Sequence, residues 1–135
     1  NTGTGLISQG SADWQDYAAS ASVALMLAQQ GGLAVRVGGM RRWYALLLCA
    51  DGKVRLIKDR EGLTTLAERA FSVELDRYYA LELIVDGDRL VGKVDGEVVA
   101  DVRDAELPLT AGGVGLVVTE GTMSTDAVTV RPVAV

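Results

Sequence analysis

Residues 78–102 read YYALELIVDGDRLVGKVDGEVVADV, and this stretch decides the fold. Leu81, Leu83 and Val85 recur at every second position, so they share one face of an extended strand and Glu82 takes the other. Asp86-Gly87-Asp88 breaks the pattern and Arg89-Leu90-Val91-Gly92-Lys93-Val94 returns. Asp95-Gly96-Glu97 then turns the chain again before Val98-Val99-Ala100-Asp101-Val102. An Asp-Gly pair between alternating runs is a strong hairpin signal, because a tight primed turn needs positive φ where glycine and aspartate accept it. Two such turns in quick succession predict a meander of short antiparallel strands.

The same grammar extends outward. Asp51-Gly52 separates a nearly continuous apolar run, Trp43 to Cys49, from the alternating Lys53-Val54-Arg55-Leu56-Ile57-Lys58. Leu33-Ala34-Val35-Arg36-Val37 alternates as well. It predicts Leu33, Val35 and Val37 on one face and Arg36 on the other, with Gly38-Gly39 ending the strand. Upstream, a long run from Asp16 is rich in small residues and closes on Val23-Ala24-Leu25-Met26-Leu27. Leu63 to Ala70 has leucines three apart, but Thr64-Thr65 and the neighbouring hairpins favour a strand. Gly112 to Thr119 and Ala127 to Arg131 complete the series. Ten to twelve strands, with no helix and no linker, predict an all-β chain: two packed antiparallel sheets in a single domain spanning 1–135.

Composition narrows the function. Thirteen Lys and Arg against eighteen Asp and Glu give a net charge of −5. The densest basic cluster is Arg41-Arg42, a poor match to a nucleic-acid backbone. No apolar run approaches the ~20 residues of a membrane-spanning helix, so a membrane is not an expected partner. The chain has no histidine, which removes Ser–His and Cys–His nucleophilic pairs and the commonest transition-metal ligand. Its one cysteine, Cys49, lies in the apolar run and reads as a buried thiol. The opening Asn1-Thr2-Gly3, without methionine, is expected of a segment of a larger protein, with a covalently attached catalytic domain as its partner.

Several segments together resemble the concanavalin A-like lectin/glucanase superfamily. They are Asp13-Trp14-Gln15-Asp16-Tyr17 before a long strand, Gly32 to Val37, Trp43-Tyr44-Ala45-Leu46, Lys53-Val54-Arg55-Leu56, Leu81 to Gly87, Val94-Asp95-Gly96 and Gly113-Val114-Gly115-Leu116. The likeness is strongest to the laminin-G-like and sugar-hydrolase-associated branches, including accessory domains of ADP-ribosylglycohydrolase-like proteins. It implies a jelly-roll sandwich that is a non-catalytic accessory module, with a glycan as the expected ligand. Two rival readings are a carboxylate-dependent glycoside hydrolase and a protein-adhesion sandwich.

Each reading nominates residues. The laminarinase-type hydrolases of this superfamily carry a Glu-x-Asp-x-x-Glu strand motif. Glu74-Leu75-Asp76 begins it here, but Tyr79 stands where the second glutamate belongs, so no catalytic residue is expected. Gly112-Gly113-Val114-Gly115 lacks the following helix that a dinucleotide site requires and reads as close sheet packing. The resemblance implies a glycan site on the concave face or in the rim loops. If the strands adjoin in the concave sheet, alternation lines its wet face with Arg36, Arg55 and Glu82 beside Tyr44; a surface ion-pair ladder is the plainer account of the same charges. Calcium is the one conceivable cofactor, with Asp13, Asp16 and Asp126 as donors. Asp86 and Asp88 are explained by their turn.

Overall fold

The computed structural model describes residues 4–10, 14–26, 28–106 and 108–133, with the backbone alone for 4–9. These residues form strands and turns without a helix. The strands are β1 (Thr4–Gln9), β2 (Tyr17–Leu25), β3 (Gln30–Gly39), β4 (Arg42–Cys49), β5 (Lys53–Arg60) and β6 (Leu63–Ala70), followed by β7 (Tyr79–Asp86), β8 (Arg89–Val94), β9 (Glu97–Arg103), β10 (Gly113–Thr119), β11 (Met123–Thr125) and β12 (Thr129–Pro132). One sheet has the order β1-β10-β3-β4-β5-β6. The other has β11-β2-β7-β8-β9, with β12 also on β2. All of these pairings are antiparallel. The fold is thus the expected two-sheet β-sandwich of jelly-roll type.

The predicted hairpins form where the Asp-Gly pairs stand. Asp95 adopts φ 50° and Gly96 φ 83°, the left-handed values that a tight turn demands. Between the sheets, Leu33, Val35, Leu46, Leu48, Val54 and Leu56 from the first face Ala19, Val23, Leu25, Leu81, Leu83, Val85 and Leu90 from the second. Burying each such leucine or valine contributes about 1.5–3 kcal/mol, and this core holds the layers together.

Alternation fails at one place in β3. Arg36 has φ 50°, and the register against β4 shifts between Val35 and Gly39. An extra residue in a strand turns everything after it to the opposite side. Val37 therefore leaves the face of Leu33 and Val35 and joins a second apolar cluster on the outer side of the first sheet. Arg36 itself is buried rather than wet. This corrects the expectation of one continuous face through Val37.

Gly32 shows how closely the strands approach. A Cβ there would stand 1.9 Å from the Leu46 carbonyl oxygen, which is backbone and cannot step aside. At Gly92 the nearest atom is the Leu46 Cδ1 at 2.9 Å, the end of a flexible side chain. Gly32→Ala is therefore expected to cost about 1–3 kcal/mol and Gly92→Ala clearly less, by urea denaturation. Equal costs at the two positions would contradict the packing described.

Candidate functional site

The four residues nominated for a glycan site do not converge. Arg36 is 1% exposed and donates to three backbone carbonyls, Gln15 (3.0 Å), Gly87 (2.6 Å) and Leu109 (2.9 Å), and to Asp16 Oδ1 (3.1 Å). Its positive φ bends the chain so that the guanidinium ties one end of the sandwich together. Its amide donates to the Tyr17 hydroxyl, which is placed to donate to the carbonyls of Gly112 and Gly113. Burial pushes the Tyr17 phenol up to about 12, against smaller opposing effects from Arg36.

Tyr44 also points between the sheets. Its hydroxyl donates to Asp104 Oδ2 (2.7 Å) and accepts from the Leu109 amide (2.9 Å). Lys58 completes the group, with Nζ 2.7 Å from the same Asp104 oxygen and 2.6 Å from the Glu106 carbonyl. Burial, then the Asp104 carboxylate, raises the Tyr44 phenol. Burial alone would raise Asp104 too, but the hydrogen bonds from Lys58 and Tyr44 together hold it below the ordinary carboxylate range.

Arg55 and Glu82 lie on the outer faces of different sheets. Arg55 pairs with Asp51 and Glu68 on the first; Glu82 pairs with Lys93 and Arg131 on the second. The calcium candidates are likewise dispersed. Asp16 Oδ1 accepts from Arg36 and the Gly87 amide, and Asp126 Oδ1 from the Ser22 amide. Asp13 lies outside the described residues. Among those residues no group of three or more His, Cys, Asp or Glu side chains is placed to hold a metal ion, and Asp16 and Asp126 hold backbone amides and Arg36.

Glu74 and Asp76 sit in the loop before β7. Glu74 pairs with Arg77, while Tyr79 is buried in the core with its hydroxyl accepting from the Glu74 amide. Trp14 packs edge-on against Tyr17 at the sandwich rim.

A different group of residues forms a hollow. Cross-strand register puts Gln30, Cys49 and Lys53 in one row on the outer face of the first sheet. Gly32, Leu47, Arg55 and Glu68 make the next row, Ala34, Ala45 and Ile57 a third, and Trp43, Asp59 and Leu63 a fourth. Small residues along β3 and in β4 leave space beside the larger Trp43, Leu47, Ile57 and Val117. These floor a hollow of about 320 Å³ whose margin carries Gln30, Met40, Arg41, Asp59, Leu63 and Thr119.

At that margin the Arg41 Nε lies 3.2 Å from Asp59 Oδ2, and Asp59 Oδ1 also accepts from the Gly62 amide (3.0 Å). The Trp43 indole N–H donates to the Met40 carbonyl (2.9 Å), which fixes the ring. Cys49 is buried in the same layer and its thiol is raised, chiefly by desolvation, so it is a packing group and not a nucleophile. An apolar floor edged by a few fixed donors and acceptors is the usual build of a small-molecule site. Its sequence signal was the unbroken apolar run of β4, since a strand that is apolar at every position is dry on both faces.

Comparison with known structures places the architecture. The carbohydrate-binding module CBM66 from Bacillus subtilis superposes with a TM-score of 0.88 at 21% identity, covering 97% of this chain and 83% of that one. The galectin LEC-6 from Caenorhabditis elegans gives 0.66 at 15% identity over 93% of this chain and 89% of its own. The GH43 protein BlXynB from Bacillus licheniformis gives 0.65 at 13% identity over 88% of this chain, which spans 28% of that larger protein. No curated protein matches the sequence. A family model does match, over residues 2–121, and it describes the C-terminal lectin domain of galactocerebrosidase. With most of the chain matched, and with the jelly-roll geometry of its structural neighbours, this lectin-like, non-catalytic domain belongs to the galactocerebrosidase C-terminal lectin domain family.

Proposed function

We propose that the domain is a carbohydrate-binding accessory module of a larger glycoside hydrolase, and that it holds a sugar in the hollow on the outer face of the first sheet. The observation that carries this reading is the pairing of an apolar floor, Trp43, Leu47 and Ile57, with the Arg41–Asp59 pair and Gln30 at its edge. A sugar ring offers the same two surfaces, C–H groups on its faces and hydroxyls around its rim. The floor takes the first, and the planar guanidinium, carboxylate and amide take the second. Membership of a lectin-domain family supports binding. Likeness to a carbohydrate-binding module and to part of a GH43 protein favours a glycoside hydrolase over an ADP-ribosyl glycohydrolase as the attached enzyme.

Arg41 is the residue to test, because its side chain is largely exposed while Trp43 and Asp59 are buried. Glycan-array screening followed by calorimetry is expected to find a ligand for the wild type. Arg41→Gln is expected to weaken it about tenfold, the loss of roughly one charge-assisted hydrogen bond, in a variant whose circular dichroism shows it still folded at the titration temperature. Flat signals across diverse neutral and acidic glycans would reject the reading. So would an Arg41→Gln variant that binds its sugar as tightly as the wild type.

A further inference from the structure

A second hollow, of about 290 Å³, opens at the end of the sandwich between the β3–β4 hairpin, the end of β5 and residues 108–111. Its lining carries three guanidinium groups, Arg36, Arg42 and Arg60, and no carboxylate among the described residues. This is unusual in a chain whose acids outnumber its bases. Arg42 and Arg60 stand directly opposite each other across the β4–β5 pair. Like charges at opposed positions of an antiparallel ladder repel, and a shared counter-anion turns that repulsion into a clamp.

Asp104 is held by Lys58 and Tyr44, and Asp16 by Arg36. The Arg42 side chain has no partner among the described residues, and the amides of Thr110 and Ala111 on the facing wall have none either. We infer that this hollow is an oxyanion site: Arg42 and Arg60 clamp a carboxylate, sulfate or phosphate group, with the positive field of Arg36 behind them. A guanidinium fork matches two oxygens of such a group at once. The site is separate from the sugar hollow: Arg41, in the β3–β4 turn, lines that one, and Arg42, at the start of β4, lines this one.

The test is an NMR titration of the isotopically labelled domain at constant ionic strength, with inorganic sulfate, inorganic phosphate and glucuronate as separate probes. The expected result is saturable shifts of the Thr110 and Ala111 amides and of the Arg42 side-chain N–H. Arg42→Gln should weaken this response at least fivefold, while Arg131→Gln, an equal charge change on the other sheet, should leave it intact. A preference for glucuronate identifies an acidic sugar as the source of the anion, and a preference for sulfate or phosphate a free or esterified inorganic group. Linear, unsaturable shifts with all three probes would overturn the inference, as would equal saturation in the Arg42→Gln variant.

Discussion

Arg36→Met is expected to destabilise the domain by about 3–5 kcal/mol, the range found when one partner is removed from a buried charged network. Methionine keeps the length and apolar stem of the side chain but supplies no donors. The carbonyls of Gln15, Gly87 and Leu109 then lose a charged donor, two of them at 2.6 and 2.9 Å. A hydrogen bond to a charged group contributes about 1.5–3 kcal/mol, and an acceptor left buried without one costs the full desolvation penalty. The Asp16 pair adds little, because that carboxylate is half exposed and screened by water. Arg36→Lys is expected to recover only a minor part, since one ammonium cannot reach three carbonyls in different directions. Denaturant unfolding measures both variants. A loss under 1 kcal/mol for Arg36→Met would show that the guanidinium is not what ties residues 15–16, the β7–β8 turn and the 108–111 loop together.

The Tyr44–Asp104–Lys58 group predicts the second large effect. Lys58→Met leaves the Asp104 carboxylate in a site that is 5% exposed with Tyr44 as its remaining side-chain donor. The expected cost is again about 3–5 kcal/mol. Removing the charge as well, in Lys58→Met with Asp104→Leu, is expected to return much of that loss. The penalty belongs to the orphaned ion and not to the missing attraction.

The same group sets a pH dependence. Asp104 ionises more readily folded than unfolded, so its contribution is present above the ordinary carboxylate value of about 4. It is lost as pH falls through the lower folded value. Exposed carboxylates paired with Lys53, Arg55 and Arg89 push the same way, but salt screens them. Measured in high salt, the wild type should lose stability on acidification below pH ~4, and Asp104→Asn should show a flatter profile. Parallel profiles would assign the acid sensitivity elsewhere.

These two buried groups mark the limit of what the sequence discloses. Period-two hydrophobicity in Leu81-Leu83-Val85 and the Asp-Gly turns at 51, 86 and 95 are local signals, and local signals are sufficient for strands, hairpins and the sandwich. The fate of Arg36 is not local. An arginine after Val35 looks like a solvent-facing position until a bulge, visible only as φ 50° and a register slip, turns it into the sandwich end. Tyr44 looked like a binding ring for a related reason: strand parity alone does not say which side of its sheet is dry. Arg55 and Glu82 do stand opposite their strands' core residues, as alternation predicts, yet β5 and β7 belong to different sheets. Sheet membership is a long-range property that one sequence does not carry. The hollow itself was half legible. The unbroken apolar run of Trp43–Cys49 requires a dry outer face, and the polar edge from Gln30, Arg41 and Asp59 becomes visible only once β3, β4 and β5 are paired.

The assignment of that hollow to sugar recognition is tested most directly by locating a bound glycan on the protein. Titration of the labelled domain with its preferred glycan from array screening should move the Trp43 indole N–H together with the amides of Gln30, Arg41, Asp59 and Thr119, saturably and in one concerted set. Saturable shifts confined to the outer face of the second sheet, around Glu82 and Lys93, would contradict it, as would a Trp43 indole resonance that stays fixed at saturation.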